Sequence, residues 1–73
     1  MFENQNFIRE FADIFEVDPS LIKPDFSLID NNWDSLAIIS TIALLNEHFE
    51  VIVDGKKLTN CTKASDIAAL FSI

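Results

Sequence analysis

Ser35 follows Asp34 where a polar stretch, Asn31-Asn32-Trp33-Asp34, gives way to an apolar run. Beyond it Ile38, Ile42, Leu45 and Phe49 recur at the spacing of one helix face. An aspartate at such a boundary is a good N-cap, because its carboxylate accepts an orphan backbone N–H of the first turn. Ser35 is then expected in that first turn, near solvent and over the positive end of the helix dipole. A hydroxyl held there is well placed to carry a phosphate-type group. It is not equipped to activate itself. The only histidine, His48, lies about three and a half turns further along the same helix. No Gly-x-Ser-x-Gly elbow surrounds the serine. A serine at a helix start is also simply a favourable local residue, so its wider setting has to decide.

The other reactive residue types are sparse. Cys61 is the only cysteine, which excludes an intramolecular disulfide and fits a reducing compartment. It reads as a small core hydrophobe rather than a reactive thiol. Asn60-Cys61-Thr62 fits the N-glycosylation pattern, but no signal peptide accompanies it. His48 has no second histidine and no cysteine near it in sequence, so no metal site is expected. Lys56 and Lys57 read as a solvated face. Leu36, Ala37, Ser40 and Ala43 form a low-charge strip beside Ser35. The strip reads either as a partner-docking surface or as Leu36 tucked under the preceding loop with neutral filler beyond it. Trp33 reads either as a docking anchor or as a lid on the core whose ring N–H reaches backbone; the lid is favoured.

The elements that must position these residues can be drawn from periodicity. Residues 3–16 read as an amphipathic helix with Phe7, Ile8, Phe11, Ile14 and Phe15 on one face and most charges off it. Val17 packs at its exit. Asp18-Pro19 caps a single turn through Leu21 and Ile22. Pro24 holds Lys23 extended, and a long irregular connection follows to Asn32, pinned by Phe26, Leu28 and Ile29. The second helix runs from Ser35 to Phe49, with His48 in its last turn, where a cation would complement the dipole. Glu50-Val51-Ile52-Val53 has strand-like composition but no pairing partner, so it reads as an extended linker with Val51 or Ile52 plugging the core. Asp54-Gly55 opens a short third helix, Lys56 to Asn60, with Leu58 inward. Thr62 caps a last helix, Lys63 to Ser72, whose apolar face is Ala64, Ile67, Ala68, Leu70 and Phe71. The expected fold is all-α: a bundle of three main helices and one short one, forming a single domain over residues 1–73.

Totals narrow the function. A chain of 73 residues is small and needs an efficient core, and 49% apolar residues with seven Phe and one Trp can supply one. Net charge is −7, with eight acids against two bases in residues 1–34. Such a surface repels a phosphate backbone, so no nucleic acid is expected as partner. It attracts partners with basic docking patches. No secretory signal opens the chain. The longest apolar run, Leu36 to Leu45, is about half of what a membrane span needs. The expectation is a soluble, cytoplasmic, monomeric protein.

Taken together, Asp34-Ser35-Leu36 opens an apolar helix after a long loop, near the middle of a small acidic chain. This resembles the acyl carrier proteins, whose Asp-Ser-Leu motif stands at the start of the second helix. The tripeptide alone is weak, but the resemblance extends over nearly the whole chain. Ile14-Phe15-Glu16-Val17 is similar to the end of the family's first helix. Asn46-Glu47-His48-Phe49 is similar to the close of the second. Thr62-Lys63-Ala64-Ser65-Asp66-Ile67 is similar to the Thr-capped last helix. The resemblance implies an acyl-carrier-like four-helix bundle and a covalent carrier rather than an enzyme. It implies that a separate phosphopantetheinyl transferase, with Mg²⁺ in its own site, moves 4′-phosphopantetheine from coenzyme A onto the Ser35 hydroxyl. The thiol of that arm would hold an acyl group as a thioester. The implied partners are this transferase, an acyl-loading ligase or acyltransferase, and downstream acyl-using enzymes. Asp34 and Leu36 are the motif residues flanking the attachment site.

The sequence also departs from the family. Members that serve fatty-acid synthesis place acids along the exposed face of the second helix. Here the matching positions are Ala37, Ser40, Ala43 and Asn46, and only Glu47 is acidic. Docking is therefore expected through Leu36, Ala37, Ser40, Ala43 and Glu47, with Trp33 beside them, on different enzymes. Trp33 replaces a small residue, and the loop is about one residue short against the family. The Trp-Asp-Ser-Leu-Ala-Ile start resembles specialised stand-alone carriers, such as those linked to surface-polysaccharide or secondary-metabolite biosynthesis. An aminoacyl or peptidyl carrier is the alternative within the family; Asp rather than His before the serine argues against it. A non-covalent helical interaction module is the alternative outside it, and it would bind partners without Ser35.

Overall fold

The computed structural model describes residues 1–73 and contains four α-helices and no strands. They are α1 (Gln5–Phe15), α2 (Ser35–Phe49), α3 (Gly55–Thr59) and α4 (Ala64–Phe71). Two single turns of 3-10 helix, Pro19–Leu21 and Ile29–Asn31, punctuate the α1–α2 connection. The all-α bundle expected from periodicity is therefore present, with helix limits within about two residues of expectation. The second 3-10 turn was not anticipated.

Each helix starts for a local reason. Asn4 caps α1 by accepting the Phe7 N–H at 3.0 Å. Asp18 accepts the Ser20 N–H at 2.9 Å, which holds its own carboxyl below the usual carboxylate range, and Pro19 stands at the head of that turn. Asp54 caps α3 through the Lys56 N–H at 2.9 Å. The start of α4 differs from expectation. Its N-cap position is Lys63, not Thr62. The Asp66 carboxylate reaches back to accept the Thr62 N–H, the Thr62 hydroxyl and the Lys63 N–H, each at 3.0 Å. Those bonds hold the Asp66 carboxyl below its ordinary range.

The core is aromatic. Phe7, Phe11, Leu28, Leu45, Leu58 and Ile67 are completely buried. Phe7 stacks on Phe11 at 5.4 Å, Phe11 meets Phe15 edge-on at 5.1 Å, and Phe15 meets Phe26 at 5.2 Å. Offset and edge-to-face pairs at these distances add to plain area burial. Ala12, absent from the expected α1 face, is buried between them.

The long connection is ordered by what it does for α4. The carbonyls of Pro24 and Phe26 accept the N–H groups of Ser65 (2.9 Å) and Ala64 (3.0 Å), and Leu28 N–H donates to the Thr62 carbonyl at 2.9 Å. The first two bonds satisfy first-turn donors of α4 that no local side chain takes, and the third ties the loop to Thr62, ahead of that helix. Phe26 and Leu28 are buried as expected. Ile29 is not: it is 62% exposed, because it begins the 3-10 turn that faces solvent.

Of two further expectations, the linker plug is met by one of its two candidates, and the α4 face needs correction. In the linker, Val51 packs on the core while Ile52 projects into solvent, 94% exposed. An extended segment sends neighbouring side chains to opposite sides, so only one can plug the core. On α4, Leu70 lies at the edge of the apolar face and is 40% exposed.

Candidate functional site

The site is built around the head of α2. Asp34 is the N-cap, with extended backbone, and its carboxylate accepts the Ala37 N–H at 2.9 Å. Its own carbonyl accepts the Ile38 N–H at 2.9 Å. Ser35 is the first helical residue and is exposed. The backbone N–H groups of Ser35 and Leu36 have no acceptor within the chain. Two free donors and the positive end of a 15-residue helix thus lie beside an accessible hydroxyl. This arrangement favours an anion on or next to that oxygen.

An open hollow of about 240 Å³ adjoins the serine, lined by Ile14, Asn32, Asp34, Leu36, Ala37 and Ser40. Ile14 comes from α1, Asn32 and Asp34 from the loop, and the rest from the first turns of α2. The lining mixes amide, carboxylate and hydroxyl groups with apolar side chains. Such a surface suits a flexible arm that carries both amides and methylenes.

Trp33 fixes the loop just ahead of the cap. Its ring N–H donates to the Leu58 carbonyl at 2.9 Å, and the ring stacks on Phe15 at 6.0 Å. Both contacts are far away in sequence, one on α3 and one on α1. They make Trp33 a half-buried clamp, the lid favoured from its sequence setting.

The strip behind Ser35 is only partly as expected. Ala37 is 5% exposed and belongs to the core side. Thr41, one turn on, is fully buried and donates its hydroxyl to the Ala37 carbonyl at 2.8 Å. That bond lets a polar residue occupy the interior at low cost. The buried line of α2 is therefore Ala37, Thr41 and Leu45, rotated from the line read from the larger apolar residues. Ile38, Ile42 and Phe49 flank it, partly buried. The rotation turns Leu36 (73% exposed) and Ile39 (63% exposed) outward. Leu36 is thus not tucked under the loop. Ala43 and Glu47 are exposed and Ser40 half-buried. Ile39 was missed in sequence; its place four residues beyond Ser35, on the same face, was the available signal.

The remaining candidates lie apart. Cys61 is buried between α3 and α4, and burial, then the nearby Asp66 carboxylate, push its thiol above the usual range. A raised thiol is a poor nucleophile, in keeping with a packing role. His48 sits at the far end of α2, where the fold brings Glu10 of α1 against it. No helix is long and apolar enough to cross a membrane.

The structure thus places an accessible serine at the capped start of α2 in a short helical bundle. The phosphopantetheine attachment-site family matches residues 5–71, nearly the full length. The chain belongs to that family, whose members carry covalently attached 4′-phosphopantetheine and meet phosphopantetheinyl transferases and biosynthetic enzymes. The family match bears out the resemblance to acyl carrier proteins. No curated protein matches the chain at a significant level.

Proposed function

We propose that this protein carries acyl groups as thioesters on an arm joined to Ser35, presents them to separate biosynthetic enzymes, and catalyses no step itself. The supporting observation is the exposed Ser35 hydroxyl at the head of α2, beside two backbone N–H groups without acceptors. When attached, the arm supplies a terminal thiol that bonds the cargo.

The chain's own residues do the rest. Asp34 fixes the first turn of α2 and so the direction of the Ser35 Cα–Cβ bond. The free N–H groups of Ser35 and Leu36 favour the negative phosphodiester. The mixed hollow offers the arm a resting surface, while its openness leaves the arm free to swing. A tethered cargo reaches each partner at high effective concentration. Leu36, Ile39, Ser40, Ala43 and Glu47 form the docking surface for the transferase, for an acyl-loading ligase or acyltransferase, and for the enzymes that use the cargo. Its low charge favours partners that read shape and apolar contact there. Acyl rather than aminoacyl or peptidyl cargo is supported by Asp34 before the serine. The single buried thiol fits work in the reducing cytoplasm.

The test is incubation with a broad-specificity phosphopantetheinyl transferase, coenzyme A and Mg²⁺, followed by intact-mass measurement. The wild-type chain should gain one arm and Ser35→Ala none. An unchanged wild-type mass, or modification that survives Ser35→Ala, defeats the reading. Loading trials with acyl- and aminoacyl-activating enzymes then separate the two cargo classes.

A further inference from the structure

The end of α2 away from Ser35 carries a cluster of which only Glu47 also belongs to the docking surface proposed above. Glu10 of α1 and Glu47 and His48 of α2 place one oxygen, one oxygen and one ring nitrogen within 4.8 Å of one another. Ser35 lies 13 residues up the helix, about 20 Å away along its axis.

The three side chains differ in freedom, in a way that suits ligation. The His48 ring is held by the core: it meets Phe7 edge-on at 5.6 Å and lies 6.4 Å from Phe49. Only 15% of its side chain is exposed, and its Nε2 is turned toward Glu10. Glu10 and Glu47 are exposed and can adjust at little cost. The cluster is also short of positive charge. Glu47 has no ion-pair partner, and Arg9, beside Glu10 in sequence, donates to Asn6 at 3.1 Å instead. The negative end of the α2 dipole lies in the same turn as Glu47 and His48. Two carboxylates and a helix C-terminus therefore converge on one imidazole, in a chain of net charge −7. A dication answers that field more fully than a proton does.

We propose that Glu10, Glu47 and His48 form a Zn²⁺-class metal site that ties α1 to α2. Imidazole nitrogen and carboxylate oxygen both ligate Zn²⁺, and three protein ligands leave a fourth position for water. An imidazole ligand selects zinc and its neighbours over Mg²⁺ and Ca²⁺, which take oxygen sets. Glu10 and His48 are hydrogen-bonded directly, closer than two ligands each about 2.0–2.1 Å from one tetrahedral ion would stand, so the exposed Glu10 must draw back to admit the ion while Glu47 closes on it.

The test is calorimetric titration of the chelator-stripped full chain with ZnCl₂ at neutral pH, and again with MgCl₂. A single saturable Zn²⁺ site should appear. Glu10→Gln and His48→Gln should each weaken it at least about tenfold, and Cys61→Ser should leave it unchanged. At tenfold excess over the wild-type Kd, zinc should raise the wild-type Tm by at least about 5 °C and that of Glu10→Gln by no more than about 3 °C. Glu10 is an exposed residue, so Glu10→Gln keeps the test informative should a change at His48 disturb folding. Four results overturn the proposal: no saturable Zn²⁺ binding, binding indifferent to Glu10→Gln, loss with Cys61→Ser, or Mg²⁺ binding as tightly as Zn²⁺.

Discussion

The two ends of α2 are built by opposite means. At the N-terminal end, the cap, the serine and the free N–H groups come from consecutive residues, Asp34 to Leu36, and the surface is left open. At the C-terminal end, His48 and Phe49 are gripped by residues from α1: Phe7 meets Phe49 at 5.1 Å, and Glu10 bonds His48. One end is defined locally and free to meet partners. The other is defined by long-range contacts and anchors the helix. A carrier needs both, because a mobile arm is useful only if its root stays fixed while enzymes pull on it.

The largest expected effect separates the ends most sharply. Ser35→Ala should abolish arm attachment in the transferase assay while leaving the denaturation midpoint close to wild type, because the hydroxyl makes no bond within the chain. At the other end, Phe7→Ala should cost about 3–5 kcal/mol in chemical denaturation, since it empties a fully buried ring site. In a protein this small that is a large part of total stability. Arm attachment per folded molecule should be unchanged. If Phe7→Ala also blocked attachment in its folded fraction, the two ends would not be separable.

Asp34→Ala should have an intermediate, mixed effect. It removes the cap on the Ala37 N–H and should cost about 1 kcal/mol. It should also slow arm attachment, because the first turn frays under Ser35. A full loss of stability with normal attachment would move Asp34 out of the site.

The smallest effect concerns a third helix end. The Asp66 carboxyl sits below its ordinary range because it accepts the backbone N–H groups of Thr62 and Lys63 and the Thr62 hydroxyl. A group whose pKa is lowered by folding adds stability above its unfolded pKa and loses it as pH falls through the folded value. Wild type should therefore be more stable than Asp66→Asn at neutral pH. The gap should narrow as pH drops below about 4, in melting curves taken across that window. A gap that is constant with pH would show that the carboxylate's charge is not what matters.

Much of this was legible before folding was considered. Asp34 as cap, the length of α2, the Asp18-Pro19 turn and the inward Leu58 all rest on neighbours within one turn, which sequence displays directly. What stayed hidden depended on distant partners. Ala37 read as docking surface or filler because it is small, and Thr41, being polar, was not singled out. Yet they form the buried line of α2, since Thr41 satisfies its own hydroxyl on the Ala37 carbonyl. That rotation is why Leu36 and Ile39 face outward. The companion of His48 was equally invisible, because Glu10 is 38 residues away.

The amino-acid sequence by itself thus determined that a serine stands at a capped helix start and that the chain belongs among helical carriers. Caps, periodicity and turn residues act over a few residues, and their effect is written in order along the chain. Only the tertiary structure decided which face of α2 is left exposed, that Trp33 clamps the loop to α1 and α3, and that Glu10, Glu47 and His48 converge. Those outcomes depend on how α1, α3 and the long loop pack against α2, and packing is settled by shape and burial among residues far apart in sequence.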